Sequence, residues 1–205
     1  MQAESVSRLR DRAATEAAIV AACERILLTD GWTGLNVQTL AATAGVDRKL
    51  IYRYFEGVEG AVARLALKSE AALAARLSAE PVASAAGHDA FMRDTLIAYA
   101  RALRQDPLTL RLMAWEMAED RPLLRRTEAA RTAVMQAWAR QRRPRLKTPP
   151  EGDLTALNAV LMAAVQHLVL NQSRGAFAGL SLDEAGWSRV EAAIRVLVPA
   201  ADALA

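Results

Sequence analysis

Cations and phenols cluster in one short stretch of this sequence. Arg48, Lys49 and Arg53 can pair with phosphates or with the hydrogen-bond acceptors on the edge of guanine. The hydroxyl groups of Tyr52 and Tyr54 can bond to a sugar-phosphate backbone. Side chains of these types, gathered on one surface, are typical of contact with DNA.

The apolar spacing just before these residues predicts a short helix and a tight turn. Val37, Leu40, Ala41 and Ala44 recur at three- and four-residue steps, which places them on one helical face. Gly45 follows at once and can take the left-handed conformation that ends a helix. We therefore expect the chain to turn here and to begin a second helix.

The second helix would carry the cations. Asn36 and Asp47 stand before the two helices, where their side chains can cap free amide groups. Ile51 and Phe55 are four residues apart and would point inward, which leaves the cations and Tyr52 on other faces. Two helices joined by a glycine-containing turn form the helix-turn-helix pattern, whose second helix enters the major groove.

This stretch resembles the DNA-binding signature of the TetR family, the tetracycline-repressor-like bacterial regulators. The matching residues are Val37, Leu40-Ala41, Ala44-Gly45-Val46, Ile51-Tyr52 and Tyr54-Phe55. The candidate DNA-binding residues are Gln38, Thr39, Arg48, Lys49, Tyr52, Arg53 and Tyr54. The sequence departs from the family pattern at Val58, usually a lysine, and at Leu35, commonly a threonine. Each departure removes a possible contact with phosphate, which would weaken the salt-dependent part of DNA affinity.

The composition indicates an all-α protein. The chain has 205 residues, 53% of them hydrophobic and 24% charged, which is ordinary for a globular protein. Alanine is abundant, and 10 glycines and 7 prolines are few, which favours helix almost throughout. No run of alternating apolar and polar β-branched residues argues for a sheet. We expect about nine helices. The resemblance implies a three-helix DNA-binding head at 1–57 and a helical ligand-binding and dimerisation domain at 58–205.

Bulk charge does not argue for DNA binding. The net charge is +3, and the cations and anions of residues 1–56 balance, so the local pattern carries the hypothesis. Cys23 is the single cysteine, which excludes an intrachain disulfide and fits a reducing cytoplasm. The N-terminus lacks the apolar core of a signal peptide, and no apolar run would cross a bilayer. We expect a cytoplasmic protein without a membrane partner.

The first residues have two interpretations. Residues 1–12 are polar with alternating charge, which indicates a loose arm or a helical extension. Arg8, Arg10 and Arg12 could reach a phosphate or a minor groove. We favour a disordered terminus without that role. The first firm helix is predicted from about Ala13 to Asp30.

The resemblance also implies a small-molecule cavity among the C-terminal helices. Methionine and aromatic side chains suit an adaptable apolar cavity. The candidates are Phe91, Met92, Tyr99, Met113, Trp115, Met117, Met135, Trp138 and Met162. For any single one of them, ordinary core packing is the interpretation we favour. His167 lies in a mostly apolar stretch, and we interpret it as a core or interface residue rather than a ligand contact.

The last two predicted helices, 153–173 and 183–198, resemble the pair that forms a four-helix bundle with a symmetry mate. The first is apolar nearly all round, so it must be covered on more than one face. The candidate dimer residues are Leu157, Leu161, Ala164, Leu168, Trp187, Val190, Ile194 and Leu197. The alternative is a helix wholly inside the monomer core.

The sequence thus predicts a homodimeric, ligand-responsive transcription regulator, a repressor that leaves a palindromic operator when a small molecule binds. An activator of the same fold, or a regulator switched by a protein partner, remains an alternative. An enzyme is disfavoured, since the two histidines are far apart in the chain and no phosphate loop, nucleophile motif or metal-ligand cluster is present. We expect no cofactor. The basic segment 121–147 is interpreted as a solvated helix rather than a site for an anionic partner.

Overall fold

The computed structural model describes residues 2–80, 88–142 and 154–198, with side-chain surroundings over 11–80, 89–142 and 156–198. Helices dominate these ranges, which confirms the all-α class. They are α1 (Gln2–Thr29), α2 (Val37–Ala44), α3 (Arg48–Phe55), α4 (Val58–Ala79), α5 (His88–Arg104), α6 (Pro107–Ala118), α7 (Pro122–Arg142), α8 (Leu154–Asn171) and α9 (Glu184–Leu197).

The segment between α8 and α9 is more regular than the loop that the sequence suggested. After the short 3-10 helix Gln172–Arg174, the strands β1 (Ala176–Phe177) and β2 (Leu180–Ser181) pair antiparallel. Gly179, with a φ of 80°, occupies the turn between them in the left-handed region that suits glycine. The expectation of a chain without strands is therefore corrected at this one hairpin of the described ranges.

Helix α1 begins at Gln2, so the expectation of a loose terminus before Ala13 is wrong. The first thirty residues contain no glycine or proline, and alanine recurs from Ala13 onward. Nothing in this stretch interrupts helical hydrogen bonding. Charges of alternating sign then support the helix, as in the Arg12 Nε to Glu16 Oε1 hydrogen bond of 2.7 Å.

The described residues fall into two compact units. Unit 1 takes its residues from Met1–Ala71 and Pro107–Ala129, and unit 2 takes them from Ala72–Asp106 and Ala130–Ala205. Helices α4 and α7 therefore contribute residues to both units. The functional boundary after residue 57 stays a prediction, although the core of unit 1 continues into α4 through Val62 and Leu65.

The core of unit 1 collects the apolar faces of several helices. The apolar stripe of α1 is buried, and Trp32 packs onto this core. The principal members are Ile19, Cys23, Ile26, Leu27, Leu40, Ile51, Phe55, Leu65, Leu112, Trp115 and Leu124. Burial raises the pKa of the Cys23 thiol to about 12, because the charged thiolate loses its hydration. Cys23 thus acts as a small buried hydrophobe.

Unit 2 is held by apolar burial and by ion pairs between helices. Trp187 of α9 is 2% exposed, and the Arg104 guanidinium carbon lies 4.5 Å from the centroid of its ring system. Arg101 of α5 donates to Glu191 of α9 from Nε to Oε1 at 2.7 Å and from Nη2 to Oε2 at 2.6 Å. These bonds raise the pKa of Arg101 and fix α9 against α5.

We expect Gly60→Ala to destabilise unit 1. Helix propensity alone favours alanine by about 1 kcal/mol, but a Cβ at Gly60 would lie 1.7 Å from the backbone oxygen of Phe55. Relief of such a clash costs about 1–3 kcal/mol. The midpoint of urea unfolding should fall, and Ala63→Gly in the same helix calibrates the propensity effect. A Gly60→Ala protein as stable as the parent would contradict the close approach.

We expect the folded protein to lose stability in acid when Asp183 is protonated. Its carboxylate accepts from Gly186 N and from Ser181 Oγ, both at 2.8 Å, and these bonds hold the pKa of Asp183 below its usual 3.8. The stabilisation is complete above that value and is lost as pH falls through the lower folded pKa. Asp183→Asn keeps a capping oxygen but does not titrate there. Its unfolding midpoint should therefore change less than that of the parent between about pH 5 and pH 2, and equal changes would exclude this contribution.

Candidate functional site

The start of α2 is fixed by a reciprocal cap. Asn36 Oδ1 accepts from Gln38 N at 2.9 Å and from Thr39 N at 3.0 Å, and Asn36 N donates to Thr39 Oγ1 at 3.1 Å. The Thr39 hydroxyl also donates to Gly34 O at 2.7 Å. The Thr39 hydroxyl is thus already hydrogen-bonded to the backbone, whereas the Gln38 side chain is exposed on the same turn. Gly45 ends α2 with a φ of 68°.

Helix α3 has an inner and an outer face. Asp47 Oδ1 accepts from Lys49 N at 2.8 Å and caps the helix, as expected. Ile51 is 0% exposed and Phe55 9%, so both point into the core of unit 1. Tyr52 is 57% exposed. The cations Arg48, Lys49 and Arg53 are also exposed, so the predicted orientation of α3 is confirmed.

Tyr54 differs from the other candidates because it is partly buried against the core of unit 1. The guanidinium carbon of Arg53 lies 5.6 Å from its ring centroid, and that of Arg12 lies 5.3 Å away. Glu16 holds Arg12 in place and raises the pKa of Arg12. Helix α1 thereby brings one more cation beside α3. Sequence spacing could not reveal this neighbour, because Arg12 and Tyr54 are distant along the chain.

A cavity of about 600 Å³ lies in unit 2 and is lined by α5, α7 and α8. Five of the predicted ligand residues line it, namely Phe91, Met92, Tyr99, Met135 and Met162. The other four lie elsewhere. Met113 and Trp115 are buried in α6, Met117 is 71% exposed, and Trp138 is buried with the Arg142 guanidinium carbon 4.9 Å from its ring.

Sequence reasoning missed most of the polar lining of this cavity. The additional residues are Thr95, Thr132, Gln136, Ala139, Arg140, Asn158, Ala159 and Gln166. Part of this lining could have been found from the sequence. Thr132, Gln136 and Arg140 are spaced four residues apart, which places them on one face of α7. On α8, Asn158 and Gln166 flank Met162 at the same spacing.

Two polar atoms of this lining lack a hydrogen-bond partner among the described residues. They are Thr95 Oγ1 and Asn158 Oδ1, and the Thr95 residue is only 4% exposed. The Tyr99 hydroxyl is engaged as an acceptor, because Gln166 Nε2 donates to it at 3.3 Å. Its own proton is left for another acceptor. The cavity thus combines apolar walls with unused hydrogen-bonding capacity.

A smaller apolar groove of about 390 Å³ lies between α8 and α9. Six of the predicted dimer residues line it, namely Leu161, Ala164, Leu168, Val190, Ile194 and Leu197. Leu157 is 45% exposed, whereas Trp187 lies in the core of unit 2 and offers almost no surface to a partner. Val160 and Val196, which are 66% and 77% exposed, extend the apolar surface beyond the groove.

His167 is exposed, which contradicts the core interpretation, while the interface interpretation stays a prediction. Its ring meets that of Phe177 edge-on, with centroids 4.9 Å apart. A surface position next to the hairpin explains why a polar residue is tolerated on an otherwise apolar helix.

In the described part of the basic segment 121–147, the arginines have different surroundings. Arg121 pairs with Glu119 at 2.7 Å and Arg125 with Asp120 at 2.9 Å, while Arg131 is 8% exposed. Its cations are thus paired or dispersed rather than gathered into one patch. The part of the segment from Arg143 to Lys147 lies outside the described residues.

In the described ranges, histidine, cysteine, aspartate and glutamate side chains do not gather in any group of three that could hold a metal ion. None of the helices in those ranges combines the length and apolarity that spanning a membrane requires.

Solved structures match this chain over most of its length. A TetR family transcription regulator from Marinobacter aquaeolei is 20% identical, with 91% of this chain and 97% of that chain covered and a TM-score of 0.53. The TetR family transcriptional regulator PfmR from Thermus thermophilus is 15% identical, with coverages of 88% and 94% and a TM-score of 0.58. The multidrug binding protein EbrR, complexed with imidazole, is 19% identical, with coverages of 90% and 95% and a TM-score of 0.61.

These matches define the class of fold. The chain has the all-α fold of TetR-family transcriptional regulators, and the resemblance noted over residues 37–55 is confirmed at that level. No family model and no curated protein matches the sequence.

The unpartnered hydroxyl of Thr95 predicts that Thr95→Val will stabilise the ligand-free protein. Valine has nearly the same shape, and an unsatisfied buried polar group costs about 1–3 kcal/mol. Thr127→Val is the matched control, because the buried Thr127 Oγ1 donates to Glu116 Oε1 at 2.7 Å or to Leu124 O at 2.9 Å. Thermal unfolding should show a rise for Thr95→Val and a fall for Thr127→Val. Two falls of equal size would show that Thr95 is satisfied.

Proposed function

We propose that this protein is a homodimeric transcription regulator of the TetR type, whose α3 helices enter successive major grooves of a palindromic operator. The observation that carries the proposal is the outer face of α3, where Arg48, Lys49, Tyr52 and Arg53 are exposed. A capped start and two buried anchors, Ile51 and Phe55, hold that face outward. A fold shared with TetR-family regulators supports it.

The candidate residues differ in the roles we assign. Arg48 opens α3 and is suited to guanine or to a phosphate, while Lys49, Tyr52 and Arg53 are suited to the backbone of the duplex. Gln38 supplies a further polar contact from α2. Thr39 and Tyr54 act mainly through the geometry of the head, because both already have partners within the chain.

The two residues that depart from the family pattern contribute to packing instead of to phosphate contact. Val58 and Leu35 are partly buried against the core of unit 1. They add apolar packing where a lysine or a threonine would face DNA. We therefore expect a weaker salt dependence of operator binding than a lysine at position 58 would give.

For dimerisation, we infer that the groove between α8 and α9 packs against a second copy. The exposed apolar side chains Leu157, Val160 and Leu197 surround buried groove residues such as Leu161 and Ile194. A symmetric partner that places the same helices on this surface would form a four-helix bundle and cover it. Two heads joined in this way would have a fixed separation.

For regulation, we propose that a small molecule fills the cavity of unit 2 and favours a state whose heads do not match the operator. A ligand has this effect only through different affinities for the two states. The structural neighbour EbrR is a multidrug binding protein, which supports a cavity of this kind. We favour a repressor in the bacterial cytoplasm over an activator, a protein-switched regulator or an enzyme. Reporter measurements with and without the protein distinguish a repressor from an activator.

Tyr52→Ala combined with Arg53→Ala should abolish specific DNA binding while leaving a folded dimer. The probe is the DNA that flanks the protein's own gene, and fluorescence anisotropy over a salt series gives the affinity. Loss of each phosphate contact should reduce the slope of log affinity against log salt by about 1.

Arg25→Ala is the matched control, because it removes an exposed cation of α1 outside the α2 and α3 surface. Its affinity should stay near that of the parent. Circular dichroism and size-exclusion chromatography verify the fold and the dimer of both variants. Unchanged affinity in the double variant would exclude α3 as the DNA-reading helix.

A further inference from the structure

The cavity of unit 2 has a charge pattern that limits its ligand. Among the described residues that line it, Arg140 is the one charged side chain, and none carries a carboxylate. Arg140 is exposed on α7. A cation placed inside would meet a like charge with no carboxylate in the described lining to offset it, whereas an anion would find an oppositely charged partner.

The hydrogen-bonding groups of the cavity also favour an anionic ligand. The Thr95 hydroxyl, the free proton of Tyr99 and the guanidinium of Arg140 can all donate. Thr132 and Gln136, on the same face of α7 as Arg140, add further donors. The orphaned oxygen of Asn158 accepts, but its amide can turn over to present two donor hydrogens instead. A group that only accepts hydrogen bonds suits this lining, and a carboxylate is such a group.

The remaining walls of the cavity are apolar, so its ligand needs an apolar body. Phe91, Met92, Met135 and Met162 line the cavity together with small alanine side chains. Methionine adapts to irregular apolar shapes, and a volume of about 600 Å³ is ordinary for a site that holds a small organic ligand.

We propose that the cavity binds an anionic amphiphile, a small organic acid whose apolar body lies among the methionines and whose carboxylate is held by Arg140 and the neighbouring hydroxyls. This proposal rests on the proposed effector site and names the chemical class of its ligand. It disfavours cationic amphiphiles, which would meet the arginine without a carboxylate among the described lining residues.

Three probes with the same apolar chain and different head groups test the charge preference. Decanoate, 1-decanol and decyltrimethylammonium are titrated into the full-length protein without DNA, and isothermal calorimetry gives each affinity. Decanoate should bind tightest and the cation weakest. Equal affinities, tightest binding of the cation or no binding of decanoate would overturn the proposal.

Two substitutions assign the preference to this cavity. Arg140→Gln should weaken decanoate about tenfold, because it removes a hydrogen bond to a charged group. The same variant should leave 1-decanol unchanged. Arg126→Gln removes an equal charge from an exposed position of α7 that does not line the cavity, and it should alter neither affinity. Decanoate affinity that survives Arg140→Gln would overturn the assignment.

A filling substitution locates the bound chain independently of charge. Ala139→Phe places a ring in the cavity and should abolish binding of both decanoate and 1-decanol, with thermal unfolding used to verify the fold. Met162→Phe on α8 is a second filling variant if the first does not fold. Decanoate binding that persists in a folded filled variant would place the probe elsewhere and would overturn the proposal.

The effector role is measured separately, as release of labelled operator DNA by decanoate. Binding of decanoate in the cavity without release would refute the effector role and leave the ligand class intact. Preferential binding and release by the cationic probe would refute the ligand class and leave the effector role intact.

Discussion

The simultaneous burial of Ile51 and Phe55 is the constraint on which the arrangement of the head depends. Each fully buried side chain of this size contributes roughly 1.5–3 kcal/mol relative to an exposed one. Because they are four residues apart on a two-turn helix, burying both fixes the rotation of α3 about its axis. The exposed positions of the cations follow from that rotation. The outward position of these polar side chains is therefore a consequence of apolar packing.

Caps and turns then fix where α3 begins and ends. Asp47 supplies the first bond, and Glu56 and Gly57, with φ values of 59° and 125°, turn the chain sharply into α4. Gly60 permits a close approach to the end of α3 that a Cβ would prevent. Since α4 starts at once and buries Val62 and Leu65 in the same core, α3 is held at both ends and along one side.

Unit 2 shows a different compromise between packing and recognition. A core that only needed stability would satisfy or replace a buried group such as Thr95 Oγ1. Here that hydroxyl and the Asn158 oxygen stay without partners among the described residues, beside a cavity walled by methionines. Helix α7 carries cavity residues such as Met135 and also Leu124 of the unit 1 core. Residues of both units therefore belong to one continuous helix.

The sequence by itself determined the helices of the head, their caps and the inward side of α3, because these follow from spacing within a few residues. The polarity of residues 1–12 favoured a loose terminus, yet the helix begins at Gln2, because no glycine or proline interrupts it and alternating charges support it. Only the tertiary structure decided which apolar residues line the cavity, since Met92 and Met117 look equivalent in sequence but lie in different surroundings. It also placed Arg12 beside Tyr54 and Arg140 in the cavity wall. Such neighbours arise from how separate helices pack, and local periodicity carries no information about that packing.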